Sequence, residues 1–369
     1  MLLVARKNLF SERTRLAISV GGVALSVFLI SLLLALFRGW SERVGGFVEE
    51  VNVDVWVART GTTDFLTAAS FLPMKGSESL NRLDAVEQWS PLIVRQMKAQ
   101  KGDSKMDVQL VGYDLVSGMG GPLRIVEGKS TPGPGEVIVD KMLTKRYGVD
   151  IGDSLEAGGR DWKVVGKSEG GDFVASQTIF VGIDQAREAL EMPDLTTFFV
   201  LRLGENVDGA RFAADLEHLQ PGILAITGRD FAEATRDRVL GNIIPILMLI
   251  LVVAFIVGLA VDGLTIYTAT VEKSREYGIL KAVGFANGYL YRLVFEQSMV
   301  TGALGFAIGI GLTLLFVPFA KDLVPQFVVF VRWQDVLGVF AATVLMTALA
   351  GYMPVRRLSA IDPVAVFKA

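Results

Sequence analysis

Four long apolar blocks constrain this chain more than any other feature of its sequence. Residues 16–37 and 336–353 carry no charge, residues 243–267 carry only Asp262, and residues 293–319 carry only Glu296. A bilayer core of about 30 Å is crossed by roughly 20 apolar residues in a helix. Because lipid offers no hydrogen-bond partner to the backbone, such segments must pair their polar groups internally. The blocks are therefore predicted to be four transmembrane helices.

Composition agrees with a membrane protein but does not establish one alone. The 369 residues are 51% hydrophobic and 20% charged, against about 45–50% and 25% in soluble domains. A net charge of -3 with no basic domain predicts no nucleic-acid partner. The absence of cysteine excludes disulfides, cysteine-containing zinc sites and thiol catalysis.

The first block could in principle be a cleaved signal peptide, since basic residues precede it. Its apolar run is longer than the usual run of about 7–15 residues, and no small-x-small cleavage site follows Phe37. We therefore interpret it as a membrane helix.

Lysine and arginine near the ends of the blocks predict the orientation. They concentrate in residues 1–15, an amphipathic N-terminal segment, in the loop 268–292 and in the tail 354–369. These three regions are predicted to be cytoplasmic, in a multi-pass protein of the cell (inner) membrane. The short loop 320–335 and the large region 38–242 would then lie outside. The basic residues are Arg6, Lys7, Arg13, Arg15, Lys273, Arg275, Lys281, Arg292, Arg356, Arg357 and Lys368.

Region 38–242 reads as a mixed α/β domain inserted between helices one and two. Strand-like alternation and helix patterns interleave along it, and the turn-rich stretch 130–135 is a candidate boundary between two lobes. Its ends, at Trp40–Val51 and at 229–242, are predicted to extend the first two spans as stalks. Strands are predicted at 52–57, 108–113, 136–139, 162–165, 178–181 and 198–203, and helices at 184–190, 208–219 and 229–238.

Glycines inside the spans indicate close helix packing. Gly305 and Gly309 form a GxxxG pair, and the other small residues expected to suit close packing are Gly21, Gly22, Ser26, Gly302 and Gly311. The alternative is that glycine is simply frequent in membrane helices.

Motifs that would make the chain an enzyme are missing. Gly128-Lys129-Ser130 resembles the end of a phosphate-binding loop, but Leu123 stands where the motif needs its first glycine. His218, the single histidine, has no cysteine or histidine companion. No HExxH, GxSxG or CxxC pattern occurs. We predict no catalytic, cofactor-binding or metal-binding residues here, so ATP and Mg²⁺, if used, belong on a separate subunit.

The loop after the second span carries the most specific motif. Residues 271–284 read VEKSREYGILKAVG, which resembles the E-x-x-R-E-x-G-[IL]-[LM]-[RK]-A-x-G signature of the FtsX-like/MacB-like permease family. The openings at 5–9 and 296–298, the tail 354–364, and the stretches 135–139, 148–153 and 164–166 also resemble that family. Unlike the family, residues 285–288 are uncharged.

The resemblance implies a separate-subunit, DevC-like or lipoprotein-release-like permease of the type VII, mechanotransmission class. It implies a cytoplasmic ABC ATPase as partner, a second permease copy or paralogue forming a dimer, and a periplasmic adaptor or other extracytoplasmic protein as a further candidate, besides membrane lipids. Coupling to the ATPase is carried over to Glu272, Arg275, Glu276, Gly278, Ile279, Leu280, Lys281 and Gly284.

Residue chemistry alone leaves the role of this loop open. A helix over 275–288 could present Tyr277, Ile279, Leu280 and Val283 as one apolar face to a groove on a partner, or the segment could be a re-entry loop with no partner. Asp262 and Glu296 are costly in lipid. Each is part of a conformational switch, or an interfacial side chain that snorkels toward the membrane surface, or one member of a local pair with Arg292 or Lys273.

The leading hypothesis for function is an export permease that moves a lipid, lipoprotein, peptide or drug-like substrate. An alternative is an FtsX-like signalling subunit that activates an extracytoplasmic cell-wall hydrolase. A third is a membrane-anchored binding module without ATP coupling, and copurification of an ATPase distinguishes it from the other two.

Overall fold

The computed structural model describes residues 13–51, 53–66, 70–75, 77–173, 176–241, 243–283, 285–323 and 329–359. The chain divides into two units, which we name after their predicted locations: the membrane unit, Met1–Arg38 with Ile244–Ala369, and the outer unit, Gly39–Ile243. Residues 1–12 of the predicted N-terminal segment and residues 360–369 of the predicted tail lie outside the described residues.

The secondary structure comprises long helices at both ends of the chain and a strand-rich middle. The helices are α1 (Arg13–Glu50), α2 (Lys141–Tyr147), α3 (Ile183–Ala189), α4 (Gly209–Leu219), α5 (Gly228–Gly241), α6 (Ile244–Glu272), α7 (Ser274–Ala282), α8 (Asn287–Leu323) and α9 (Trp333–Ser359). The strands are β1 (Val55–Arg59), β2 (Leu72–Pro73), β3 (Val86–Lys101), β4 (Ser104–Tyr113), β5 (Arg124–Gly128), β6 (Glu136–Asp140), β7 (Ser154–Ala157), β8 (Arg160–Glu169), β9 (Gln177–Gly182), β10 (Leu195–Thr196), β11 (Phe198–Leu203) and β12 (Ile223–Thr227).

Four of the helices, α1, α6, α8 and α9, are long and apolar enough to cross a membrane, which confirms the four predicted spans. Each is longer than its apolar block, because helix geometry continues into polar flanks such as the end of α1 at Glu50. In the most apolar 18-residue stretch of α6, only 11% of the residues are buried against protein. The rest of that stretch presents an apolar surface that suits lipid.

Glycines hold the membrane helices close together. An added Cβ at Gly305 would lie 2.5 Å from Cγ1 of Val23, and one at Gly309 would lie 2.7 Å from the carbonyl oxygen of Ala24. The GxxxG pair of α8 therefore packs directly on α1, and the predicted role of these glycines in packing is confirmed. The prediction of close packing is wrong for Gly311, two residues further along α8, and for Gly21 of α1, because nothing lies within 4 Å of a Cβ added at either position.

This contact predicts opposite results for two identical substitutions. Gly309→Ala should destabilise the bundle by about 1–3 kcal/mol, since overpacking forces backbone to shift. Gly311→Ala should not, because nothing lies within 4 Å of the added methyl group. The midpoint of thermal unfolding in detergent measures both, and an equal loss in the two variants would contradict the packing described.

The outer unit is built on one ten-stranded mixed sheet in the order β12-β1-β11-β3-β4-β9-β6-β8-β5, with β7 beside β3 and β8. The six predicted strands and three predicted helices are present. The longest strand, β3, was not predicted, and neither were β5, β7, β12 and α2. The short pair β2–β10 forms a separate two-stranded sheet.

The turn at 130–135 is not a boundary between lobes. It joins β5 to β6, and both of these strands pair with β8 in the same sheet. The prediction of a lobe boundary there is wrong, because glycine and proline mark a sharp change of direction whether the strands that follow stay in one sheet or not.

Candidate functional site

Helix α7 is the short element that carries the family motif. It follows α6 after the single residue Lys273, whose N–H still donates to the Ala269 carbonyl at 3.2 Å. At its other end the N–H of Phe285 donates to the Leu280 carbonyl at 3.0 Å. The helix is therefore joined to α6 by one residue, and its position is set by side-chain packing rather than by a long linker.

One face of α7 packs into the membrane unit. Tyr277 is 3% exposed and belongs to an apolar cluster to which Leu280, one turn further on, also contributes. Residues three apart lie on the same side of a helix, which explains why these two point inward together. The cluster partners come from α6, α8 and α9 and are Ile266, Leu290, Leu293, Val294 and Ala350.

The other face of α7 is exposed and apolar at its tip. Ile279 is 45% exposed, Val283 73% and Phe285 42%. Arg275 and Glu276 are also exposed, at the start of the helix. The prediction of a single apolar face is wrong, because Tyr277 and Leu280 contact the chain itself while Ile279 and Val283 do not join them.

Some of the remaining motif residues are buried or partly buried, and others are exposed. Gly278 is buried and Lys281 is partly buried. Glu272 is exposed at the end of α6, where it accepts a 2.5 Å hydrogen bond from Nη2 of Arg15. Gly284 lies outside the described residues.

Asp262 lies at the centre of a buried polar cluster inside the membrane unit. Its side chain is fully buried, and Oδ1 accepts a 2.6 Å hydrogen bond from the Ser19 hydroxyl of α1. The Ser298 hydroxyl of α8 lies beside this carboxyl but donates to the Thr347 carbonyl of α9 at 2.6 Å. Adjacent hydrogen bonds thus link α1 to α6 and α8 to α9.

Glu296 has a different environment from Asp262. It pairs with Arg292 at 3.0 Å on the same helix, four residues away, and its side chain is 20% exposed. The interpretation of Glu296 as a local pair with Arg292 agrees with this geometry. Asp262 pairs with no cation among the described residues, and its partner is a hydroxyl that the sequence pattern did not indicate.

The Ser19 contact predicts a stability difference between two serines of the same helix. Ser19→Ala should cost about 1–3 kcal/mol, because it leaves the buried Asp262 carboxyl without its hydrogen-bond donor. Ser31→Ala is the matched control, since the buried Ser31 hydroxyl has no hydrogen-bond partner among the described residues. Thermal unfolding in detergent should show a lower midpoint for Ser19→Ala alone. Equal midpoints for the two variants would contradict the role of this contact.

In the outer unit, the end of α1 is built into the core of the sheet domain. Phe47 is 1% exposed and contacts Phe65, with ring centroids 5.4 Å apart. Arg43 on the same helix donates to Oδ2 of the buried Asp172 at 2.6 Å. The packing and the ion pair fix the last three turns of α1 to the domain.

Two further contacts strengthen this attachment. Arg236 of α5 donates to the Glu49 carboxylate at 2.5 Å and to the Ser41 carbonyl at 3.2 Å, so both flanking helices of the outer unit are joined.

Burial raises the pKa of the Asp140 carboxyl to about 6, although hydrogen bonds from the backbone N–H groups of Met142 and Gly171 oppose the rise. Sequence reasoning missed Arg236 and Asp140, because each has a partner in a distant part of the chain. Arg236 and Ser41, for example, are 195 positions apart.

Comparison with known proteins assigns both parts of the chain. A family model described as the MacB-like periplasmic core domain matches residues 16–219. A second, the FtsX-like permease C-terminal region, matches residues 239–363. The second match contains α7 and Asp262, and the first contains Ser19 and strands β1 to β11 of the sheet domain.

Two relatives are also named as permeases. An uncharacterized ABC transporter permease of Mycobacterium tuberculosis (strain ATCC 25618 / H37Rv) is 24% identical over 373 residues, covering 100% of this chain and 99% of the relative. A probable syringafactin export ATP-binding/permease protein of Pseudomonas syringae pv. tomato is 22% identical over 96% of this chain and 57% of its own. The periplasmic region of MacB from Actinobacillus actinomycetemcomitans aligns with 50% of this chain and 94% of its own, at 10% identity and a TM-score of 0.39.

Proposed function

The chain belongs to the FtsX-like/MacB-like family of ABC transporter permeases, and we propose that it transmits the conformational change of a cytoplasmic ABC ATPase to its outer unit in order to export a substrate. The observation that carries this proposal is the pair of faces on α7. One face is packed on α6, α8 and α9 through Tyr277, whereas Ile279 on the other face is exposed, as are Val283 and Phe285 just after the end of the helix.

The exposed tip has the properties of a docking element. Apolar side chains that are exposed beside charged ones are typical of a helix that inserts into a groove of a partner. The two exposed charges, Arg275 and Glu276, give the contact a means of discriminating between partners. Because Tyr277 is buried, a force on the tip would move the membrane helices rather than rotate α7 alone.

The path onward uses the continuity of α1. This helix runs without interruption from Arg13 to Glu50. At one end Arg15 is paired with Glu272 beside α7, and at the other Phe47 and Arg43 are fixed in the outer unit. We infer that tilting or rotation of α1 is the movement that reaches the sheet domain.

ATP hydrolysis, with its Mg²⁺, is assigned to the partner subunit. We also propose two permease copies, or one copy with a paralogue, since a single outer unit cannot close a chamber. The substrate class is a lipid, lipoprotein, peptide or drug-like molecule. Activation of an extracytoplasmic cell-wall hydrolase is the alternative proposal, since residues 239–363 match the FtsX-like permease region and residues 16–219 match the MacB-like core domain. Transport into or out of reconstituted vesicles containing the copurified ATPase tests export directly.

Docking through α7 predicts that its exposed apolar residues matter for a partner and not for the fold. Ile279→Ser and Val283→Ser should each weaken ATPase binding by about 1–2 kcal/mol, because each removes roughly one buried aliphatic side chain from the interface. The measurement is the amount of ATPase that copurifies with the chain in mild detergent, together with its turnover.

The matched control is Val116→Ser in the outer unit, where Val116 is 96% exposed. It makes the same chemical change and should leave the copurified ATPase unaltered. If the double variant Ile279→Ser/Val283→Ser is inserted normally and retains a full complement of active ATPase, α7 is not the docking element.

A further inference from the structure

A pocket in the outer unit lies on the face of the sheet opposite the aromatic core that holds Phe47. Its volume is about 390 Å³, within the range of roughly 300–1,000 Å³ typical of small-molecule pockets. Val57 of β1 and Phe199 of β11 line it, and both belong to an apolar cluster separate from that of Phe47. Because successive side chains of a strand point to opposite faces, the two clusters lie on opposite sides of the sheet.

Most of the pocket lining is apolar. Val57 and Phe199 are buried, as are Leu72 of β2 and Leu80 of a short 3₁₀-helix, Ser77–Arg82. Ile223 at the start of β12 is partly buried and completes this part of the lining. A ligand that enters the pocket therefore transfers apolar surface out of water, which is favourable.

The turn before the 3₁₀-helix brings two polar groups to this lining. Lys75 is exposed and makes no hydrogen bond or ion pair with another described residue. Ser77 is 8% exposed, and its hydroxyl has no hydrogen-bond partner within the described part of the chain. A 3.1 Å hydrogen bond from the N–H of Ser77 to the Met74 carbonyl closes the turn that holds both residues. One cation and one neutral donor are thus available to a ligand.

The rest of the lining narrows the chemistry of that ligand. Lys75 is the only charged residue among the described residues that line the pocket, so a single negative charge complements it. Ser79 and Gln220 also line the pocket, but the Gln220 amide already donates to the Ser79 hydroxyl at 3.1 Å. Buried amide groups need hydrogen-bond partners, and a peptide backbone would find few here. An acyl chain has no such requirement.

We infer that this pocket binds a fatty-acid-like molecule, with its acyl chain against Val57, Leu80 and Phe199 and its carboxylate bonded to Lys75 and Ser77. A hydrogen bond between an ammonium group and a carboxylate is about twice as strong as one between neutral groups. The inference deepens the proposed function and rests on it, since it gives the chemistry of a substrate within the proposed lipid class.

A ligand in this pocket would contact an element that leads to the stalk. Ile223 begins β12, and β12 is followed directly by α5. Arg236 of α5 is bonded to Glu49 at the end of α1. In the proposed function, movement of α1 and α5 would therefore reach the strand against which the acyl chain lies.

The test is photolabelling of the full-length chain in lipid nanodiscs, without detergent, which would compete for an apolar pocket. The probe is decanoic acid that carries a diazirine on its chain, and mass spectrometry locates the labelled residues. The expected result is saturable labelling of residues 72–80 and 220–223. Unlabelled decanoate should compete at a concentration about tenfold lower than decan-1-ol or decyltrimethylammonium, because only decanoate can pair with Lys75.

Three variants separate this site from general attraction to an apolar or basic surface. Lys75→Glu should weaken the apparent affinity by about tenfold or more, since an attraction becomes a repulsion. Lys105→Glu is the matched control and should change nothing, because Lys105 is an exposed cation of the same unit that does not line the pocket. Ile223→Trp should reduce labelling by filling the pocket without changing its charge.

Several results would overturn the inference. It is wrong if Lys75→Glu is labelled as the unmodified chain is, if decan-1-ol competes as well as decanoate, or if labelling is confined to the membrane helices. Unfolding midpoints without probe establish that each variant is folded. Because the ATPase is absent from this measurement, its failure would leave the docking role of α7, which copurification tests, unaffected.

Discussion

The burial of Tyr277 against α6, α8 and α9 is the contact on which the coupling account depends. With only Lys273 between α6 and α7, a short helix could rotate freely unless a side chain anchored it. Tyr277 and Leu280 provide that anchor, and the same rotation places Ile279 and Val283 outward. The exposed tip is thus a consequence of the inward packing. In the proposed function, a movement imposed on the tip would be transferred to the membrane helices because the anchor is buried.

The bundle of membrane helices is held by contacts that suit a medium without a hydrophobic driving force. Close backbone approach at Gly305 and Gly309 lets α8 lie on α1, and dispersion then acts over many atoms. Hydrogen bonds around Asp262 and Ser298 add specific links between helices. In the outer unit, where water is present, α1 is fixed instead by an aromatic core around Phe47 and by the pair Arg43–Asp172.

The sequence predicted the spans, the inserted domain and most strands, because apolar length and alternation are local properties. It missed β3, whose mixed pattern reflects contacts with three neighbouring strands, and α2, which is only seven residues long. It named the coupling motif but assigned its side chains to one face, since the direction of α7 is set by residues such as Leu290 and Ala350 that lie elsewhere in the chain. Contacts such as Ser19–Asp262 depend on tertiary packing that no local pattern encodes.

The central prediction is that the loop 268–292, which carries α7, is cytoplasmic and that the region 38–242 lies outside. Because the chain has no cysteine, single introduced cysteines report their location without background. Ser104 in the outer unit and Ala286 just after α7 are both exposed, so a cysteine at either position can react with a reagent in solution. Ser176 of the outer unit is buried, and a cysteine there would not report its location. With a membrane-impermeant maleimide on intact cells, Ser104→Cys should be labelled and Ala286→Cys should be labelled only after permeabilisation. Labelling of both in intact cells, or of Ala286→Cys alone, would contradict the account.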